Sequence, residues 1–345
     1  MVYNREVIDD GDFITSADIK ASELLKTEDI VFLVEGEKLD FVANIEKGNR
    51  IHVNFKKNNR LSTLRFNADK FVNELVLPEI IMSVAGVDSK INVSFKKDSF
   101  INDFKKDILQ TSDIQLSYSL YSKGDKKNKR PLVIFLHGSG ERGLMNDLPL
   151  LGNDVPKTIH DYVNKNDDAV ILVPQATWAP ELNGWFRLEF RQALLKLIKY
   201  VKESENIDSK RVYLTGLSNG ASATWHLVEK HPDIFAAAIP CSGYIFNEGK
   251  EFKGEQGKGR YMLPTKEEVK NLINMSIWAF HGEDDPVVNV KGTLENKKEI
   301  EAMGGKRLKV TIYPKGKLKT NPHASWSLAY NNSELLPWLF KQHKE

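Results

Sequence analysis

Between residues 216 and 220 the chain reads Gly-Leu-Ser-Asn-Gly, a serine with a glycine two positions to either side. A serine hydroxyl is a poor nucleophile at neutral pH unless a base takes its proton. The apolar run Val212-Tyr213-Leu214-Thr215 precedes the motif, and a helical pattern over 220–230 follows it. A strand that turns sharply into a helix at a serine exposes the hydroxyl at the strand's carboxyl end, provided the flanking residues lack side chains. The helix N-terminus then faces any negative charge that develops there. The alternative is an ordinary glycine-rich turn between a strand and a helix.

Such an elbow is followed in the chain by an acid and then a histidine. The histidines after Ser218 are His226, His231, His281, His323 and His343. His226 and His231 ride on the helix that leaves the elbow and cannot fold back, and His343 sits at the chain end. His323 lies in the polar loop Lys319-Thr320-Asn321-Pro322-His323-Ala324-Ser325-Trp326, between a strand at 308–312 and the last helix. It is the candidate base, against the plain reading of a surface-loop histidine. The acid is expected after the preceding strand, 276–280, where Glu283-Asp284-Asp285-Pro286 gives three choices. One carboxylate suffices to hold the imidazole tautomer. Asp285 is preferred because Pro286 stiffens the turn there, with Asp284 as the alternative.

A tetrahedral oxyanion needs two donors. The backbone N–H of Asn219, next to the serine, is one. The other is expected from His137-Gly138-Ser139-Gly140-Glu141-Arg142-Gly143, which follows the apolar run 132–136. Ser139 is preferred, with Gly138 or Gly140 open. This loop lacks the Lys-Ser/Thr of a phosphate-binding P-loop. His137 reads as a structural hydrogen-bonder. Trp185 and Trp326, with Trp178 and Phe186, are candidates to wall a substrate pocket, against the plain reading of core packing.

The elements that must position these residues follow from periodicity. Apolar runs at 132–136, 169–173, 212–215, 235–239, 277–280 and 308–312 suit strands buried on both faces, and 114–121 alternates like a half-exposed strand. Helical patterns lie at 191–203, 220–230, 293–303 and 333–341. Strands alternating with helices predict an α/β domain with a mostly parallel sheet covered on both faces. Residues 244–266 read as a polar, glycine-rich insertion. The first hundred residues differ. Short Val-, Ile- and Phe-rich runs between 28 and 96, with turn residues every eight to twelve positions, predict a small all-β sandwich. A short helix at 17–25 is the one helical prospect there. The expected domains are 1–108 and 109–345.

The segments Leu136–Gly143, Gly216–Gly220, His281–Val288 and His323–Trp326 together resemble the α/β-hydrolase superfamily. More narrowly, they resemble bacterial carboxylesterases of the polyhydroxybutyrate-depolymerase-like and feruloyl-esterase-like group. The resemblance covers roughly 113–345. It implies an α/β-hydrolase fold, a Ser218–His323–Asp285 triad and hydrolysis of a small or polymer-linked acyl ester through an acyl-enzyme. Some relatives carry an immunoglobulin-like domain in front, implicated in self-association, so the resemblance implies such a domain over 1–108 and a homo-oligomer. A serine peptidase or acyltransferase on the same triad is an alternative. So is a non-catalytic binding module on a degenerate fold.

Composition bounds the rest. At roughly 100–200 residues per domain, 345 residues suggest two or three domains. Hydrophobic residues make up 41% and charged residues 28%, the balance of a globular chain. Lys plus Arg number 49 and Asp plus Glu 47, so a net +2 gives no reason to expect nucleic acid. The single cysteine, Cys241, excludes an intrachain disulfide. There is no HExxH, CxxC or other clustered ligand set, so neither metal nor cofactor is expected. No run approaches the ~20 apolar residues of a membrane span. The first residues carry acids and no apolar core, so no signal peptide is read. That fits the cytoplasm for the chain as given, or export if it is a mature form.

Overall fold

The computed structural model describes residues 1–9, 11–21, 25–46, 49–88, 92–178, 184–254, 259–319 and 321–344. The chain divides into two compact units. One comprises Met1–Asp69, Asn73–Asp103 and Leu151–Asp154, and the other Lys70–Val72, Phe104–Leu150 and Val155–Glu345.

The first unit is built on two sheets. One has five strands in the order Ser94–Lys96, Val2–Ile8, Gly11–Lys20, Arg50–Phe55 and Phe41–Glu46. The other has four, in the order Val87–Asp88, Ile80–Val84, Ile30–Val34 and Glu37–Lys38. Their inward residues form one apolar core that includes Tyr3, Ile14, Phe32, Val53, Phe55 and Met82. Phe32 meets Phe55 edge to face at 5.0 Å across it. The helix expected at 17–25 is absent from 17–20. Ala17 and Ile19 are buried while Asp18 and Lys20 are exposed, the period of two of a strand. That stretch pairs with the strand Arg50–Phe55, Asp18 opposite His52. Residues 22–24 lie outside the described ones.

The second unit has the α/β-hydrolase fold. Eight strands stand in the order Lys105–Gln110, Gln115–Ser122, Val170–Gln175, Arg130–Leu136, Ile207–Leu217, Ala237–Cys241, Ser276–Gly282 and Leu308–Tyr313. Gln115–Ser122 is antiparallel to both its neighbours, and all pairings from Val170–Gln175 onward are parallel. The sheet's first strand starts at Lys105, before residue 109. Val170–Gln175, Arg130–Leu136, Ala237–Cys241 and Ser276–Gly282 are buried along their whole length, which is why they read as unbroken apolar runs. Helices Val155–Asn166, Leu188–Ser204, Asn219–Lys230 and Lys291–Ala302 cover the sheet. Leu188–Ser204 buries Phe190, Ala193, Leu194, Leu197, Ile198 and Val201, a stripe with helical spacing.

The insertion after Cys241 is less polar in its packing than in its composition. Tyr244, Phe246 and Met262 bury their side chains with Val288, and Phe186 and Tyr261 pack against them. Isolated bridges join Lys253 to Tyr261 and Arg260 to Val288. Thr265 caps the short helix Lys266–Lys270 reciprocally with Glu268, closing the insertion. Residues 255–258 lie outside the described ones. Among the described residues no helix is long and apolar enough to cross a membrane.

Candidate active site

The elbow is shaped by what its glycines lack. A Cβ on Gly216 would stand 2.4 Å from the Gly220 carbonyl oxygen, and one on Gly220 would stand 2.1 Å from that of Leu136. Both distances are far inside contact, so neither position admits a side chain. Ser218 itself holds φ 54° and ψ −115°, outside the usual L-residue basins. Its N–H donates to the Cys241 carbonyl at 2.9 Å, and its own carbonyl accepts from Ser222 N–H at 3.0 Å. Those bonds on the neighbouring strand and the following helix hold the strained residue in place.

The loops after three other strands bring the remaining candidates to this point. His323 Nε2 lies 2.8 Å from Ser218 Oγ, and His323 Nδ1 lies 2.7 Å from Asp285 Oδ2. An ionised carboxylate only accepts, so Nδ1 carries the hydrogen and Nε2 is left to accept from the serine hydroxyl. Asp285 Oδ1 accepts from the N–H groups of Val287 and Val288 at 2.8 and 3.0 Å. Burial pushes the Asp285 pKa up, but the charge of His323 and the hydrogen bonds from His281 and His323 outweigh it, holding the carboxyl well below the usual range. The alternative acid, Asp284, points elsewhere. It accepts from Gly316 N–H at 3.1 Å, as Glu283 does from Lys315 N–H at 2.9 Å.

His323 is fixed through its backbone as well. Its N–H donates to Asn321 Oδ1 at 3.1 Å, and its carbonyl accepts from Ser242 Oγ at 2.9 Å. Trp326 meets the imidazole edge to face, centroids 5.3 Å apart at 86°. The indole is almost wholly buried.

The loop after Arg130–Leu136 runs beside the serine. A Cβ on Gly138 would be 3.5 Å from Ser218 Cβ. His137 Nε2 accepts from Ala176 N–H at 3.0 Å, so Nδ1 bears the hydrogen and donates to the Gly138 carbonyl at 2.6 Å. Burial pushes this imidazole down to about 4, so it stays neutral. Arg142 Nε donates to the Ser139 carbonyl at 2.6 Å, and burial lowers that guanidinium to about 10. Gly140 falls within the 3-10 turn Ser139–Glu141. Asn219 is the first residue of the elbow helix, directly after the serine.

Trp185, expected as a pocket wall, is fully buried. Its indole N–H donates to the His137 carbonyl at 3.1 Å, so the ring serves the interior and not a cleft. Trp178 remains exposed. His226 gives its Nδ1 to the Phe246 carbonyl at 2.7 Å. Sequence reasoning missed the aromatic group of Tyr244 and Phe246 beside Phe186, with Phe186 and Phe246 rings 4.4 Å apart. These residues stand on segments leaving the carboxyl ends of the strands, and the signal was four aromatics, Tyr244, Phe246, Phe252 and Tyr261, in an otherwise polar stretch. Among the described residues no group of three or more His, Cys, Asp or Glu could hold a metal ion.

Comparison with known proteins bears on the fold and the family. The profile of the prolyl oligopeptidase family matches residues 189–317. The chain is 26% identical over 234 residues to a bifunctional acetylxylan esterase/xylanase of Neocallimastix patriciarum, covering 65% of this chain and 29% of that protein. The chain thus spans under a third of that curated relative. Among solved structures it is similar to a thermostable esterase, with a TM-score of 0.80 and 25% identity over 99% of both chains. A ferulic acid esterase matches with a TM-score of 0.53 and 15% identity, over 69% of this chain and 97% of that one, which speaks for the fold alone. By fold and by these matches, the chain is an α/β-hydrolase related to the esterases of that superfamily.

Proposed function

We propose that the chain is a serine carboxylesterase. Ser218 Oγ attacks the ester carbonyl while His323 Nε2 takes its proton. Asp285 holds the imidazole tautomer and stabilises the imidazolium. The N–H groups of Asn219 and Ser139 receive the oxyanion. His323 then returns the proton to the leaving alcohol, an acyl-Ser218 ester remains, and water activated by the same imidazole releases the acid. The observation that carries this reading is the hydrogen-bonded chain from Ser218 Oγ through His323 to Asp285, at 2.8 and 2.7 Å. The acetylxylan esterase/xylanase relative supports an acyl ester of a small alcohol or a polymer as substrate class. Nothing in the mechanism calls for a metal or organic cofactor.

The domain reading belongs with this proposal: an immunoglobulin-like front domain, through which copies associate, and a catalytic domain that takes in the strand Lys105–Gln110 and so begins ahead of the expected boundary at 109. One finding favours a second activity, since the prolyl oligopeptidase profile covers 189–317, which holds both Ser218 and Asp285. The same three residues would cleave an amide, so short-chain aryl esters are to be compared with aminoacyl amides. Faster turnover of the amides would replace the esterase by a peptidase. The test of the reading is Ser218→Ala on aryl acetates. Turnover is expected to drop by about 1,000-fold or more. A folded Ser218→Ala protein that keeps its rate would move the nucleophile elsewhere, whereas a folded wild-type protein that neither turns over esters nor takes a fluorophosphonate label would favour the binding-module reading.

A further inference from the structure

Trp185 spends both of its N–H groups on the two segments that flank the serine. Its backbone N–H donates to Asn219 Oδ1 at 2.9 Å, and its indole N–H donates to the His137 carbonyl at 3.1 Å. Its own carbonyl accepts from Arg191 Nη1 at 3.0 Å, and that guanidinium also holds the Phe186 carbonyl at 2.7 Å. Arg191 is itself buried on the helix Leu188–Ser204, so the tryptophan is anchored to a rigid element and not to a free loop. The approach is close. Gly184, at φ 62°, would put a Cβ 2.8 Å from Asn219 Oδ1, so only glycine lets Trp185 reach the elbow residue.

The other end of the brace leads directly to the second donor. Trp185 fixes the carbonyl of His137, whose ring faces the indole with centroids 5.2 Å apart. The His137 ring in turn fixes the Gly138 carbonyl at 2.6 Å. In a trans peptide the carbonyl and the following N–H point to opposite sides. Holding Gly138 C=O toward His137 therefore turns Ser139 N–H away from it. One residue, through its backbone N–H on Asn219 and its indole N–H on His137, thus ties the residue carrying one oxyanion donor to the segment that sets the direction of the other.

We infer that Trp185 is a positioning residue that fixes the spacing of the two oxyanion donors, Asn219 and Ser139, and so acts on the transition state without touching substrate. This rests on the reading of those two N–H groups given above. A preorganised donor pair matters most where charge develops, so misplacing it lowers kcat and leaves ground-state binding alone.

The test is Trp185→Phe in the full chain, which keeps the ring and deletes the indole N–H, assayed on p-nitrophenyl acetate with phenylboronic acid as the tetrahedral probe. The expected result is a fall in kcat of about 10- to 100-fold with KM within about twofold, and boronate inhibition weakened in parallel. Trp338→Phe, on the terminal helix Leu335–Phe340, serves as the control expected to leave kcat unchanged. A folded Trp185→Phe protein with wild-type kcat, or with KM raised and kcat kept, overturns the inference. If Trp185→Phe does not fold, Asn219→Ala removes the acceptor of the Trp185 backbone N–H and is expected to lower kcat alone. Wild-type kcat there overturns the inference equally. Ser218→Ala separates the two readings. An active Ser218→Ala protein defeats the esterase proposal, whereas an inactive one beside a fully active Trp185→Phe defeats only the brace.

Discussion

His281 Nε2 lies 3.3 Å from Asp285 Oδ2, the same oxygen that meets His323 Nδ1. That nitrogen also lies 2.9 Å from the Val288 carbonyl, and Nδ1 lies 2.8 Å from Thr293 Oγ1. With two acceptors facing Nε2, the hydrogen sits there and points at the acid's turn. A fully buried imidazole, four residues before Asp285, thus helps keep the carboxylate ionised and oriented. His281→Leu is expected to lower kcat/KM by about tenfold, the worth of one hydrogen bond to a charged group. Steady-state kinetics on an aryl acetate would read this, and an unchanged kcat/KM in a folded variant would show that Val287 and Val288 suffice to hold the acid.

The choice between the two neighbouring acids is open to a direct comparison. Asp285 reaches the imidazole while Asp284 is engaged with Gly316 N–H. Asp285→Asn is expected to lower kcat by up to about 10,000-fold, because the amide favours the wrong tautomer. Asp284→Asn keeps an amide oxygen to accept from Gly316 N–H, removes only the charge, and is expected to stay within about threefold of wild type. The reverse order of effects would reassign the acid.

The elbow glycines make a stability prediction. With backbone oxygens 2.4 and 2.1 Å from the sites of an added Cβ, Gly216→Ala and Gly220→Ala must push strand and helix apart. Overpacking of this kind costs about 3 kcal/mol, or roughly 6–12 °C of Tm in a domain of this size. Differential scanning calorimetry would measure it. A Tm within a degree of wild type would mean that the elbow relaxes freely and that its geometry is not enforced by these positions.

Acid lability should track the buried neutral histidines. Burial, aided by the charge of Arg191, pushes His226 down to about 4, against about 6.5 in an unfolded chain. Between those values the unfolded state binds the proton and the native state does not, so stability falls as pH is lowered through that window. His226→Gln keeps a donor for the Phe246 carbonyl and removes the titration. The variant is expected to lose less Tm than wild type between pH 7 and 5. An equal loss in both proteins would place the acid sensitivity elsewhere.

How much could be read without coordinates depended on how local each signal was. Ser218, Asp285 and His323 were legible because strand, turn and helix follow one another in the sequence around each, and the structure brings them within hydrogen-bond distance. The wholly buried strands were legible for the same reason, although Phe235–Ile239 was read two residues ahead of the observed strand Ala237–Cys241. An unbroken apolar run does not say which of its residues pair. Val2–Ile8 and Gly11–Lys20 were missed because Arg5 and Asp12 occupy buried positions as an ion pair, with Arg5 Nε 2.7 Å from Asp12 Oδ2. Charges on the inner face erase the alternation that marks a strand. The sequence left Trp185 open between pocket wall and core packing, since the choice depends on segments near residues 137, 191 and 219 that only the fold assembles.

The measurement closest to the central claim is covalent labelling with a fluorophosphonate followed by peptide mass analysis. Wild-type protein is expected to carry one adduct, on Ser218, and His323→Ala is expected to label far more slowly because the hydroxyl has lost its base. An adduct on a different residue, or no adduct on properly folded wild-type protein, would contradict an activated hydroxyl at position 218.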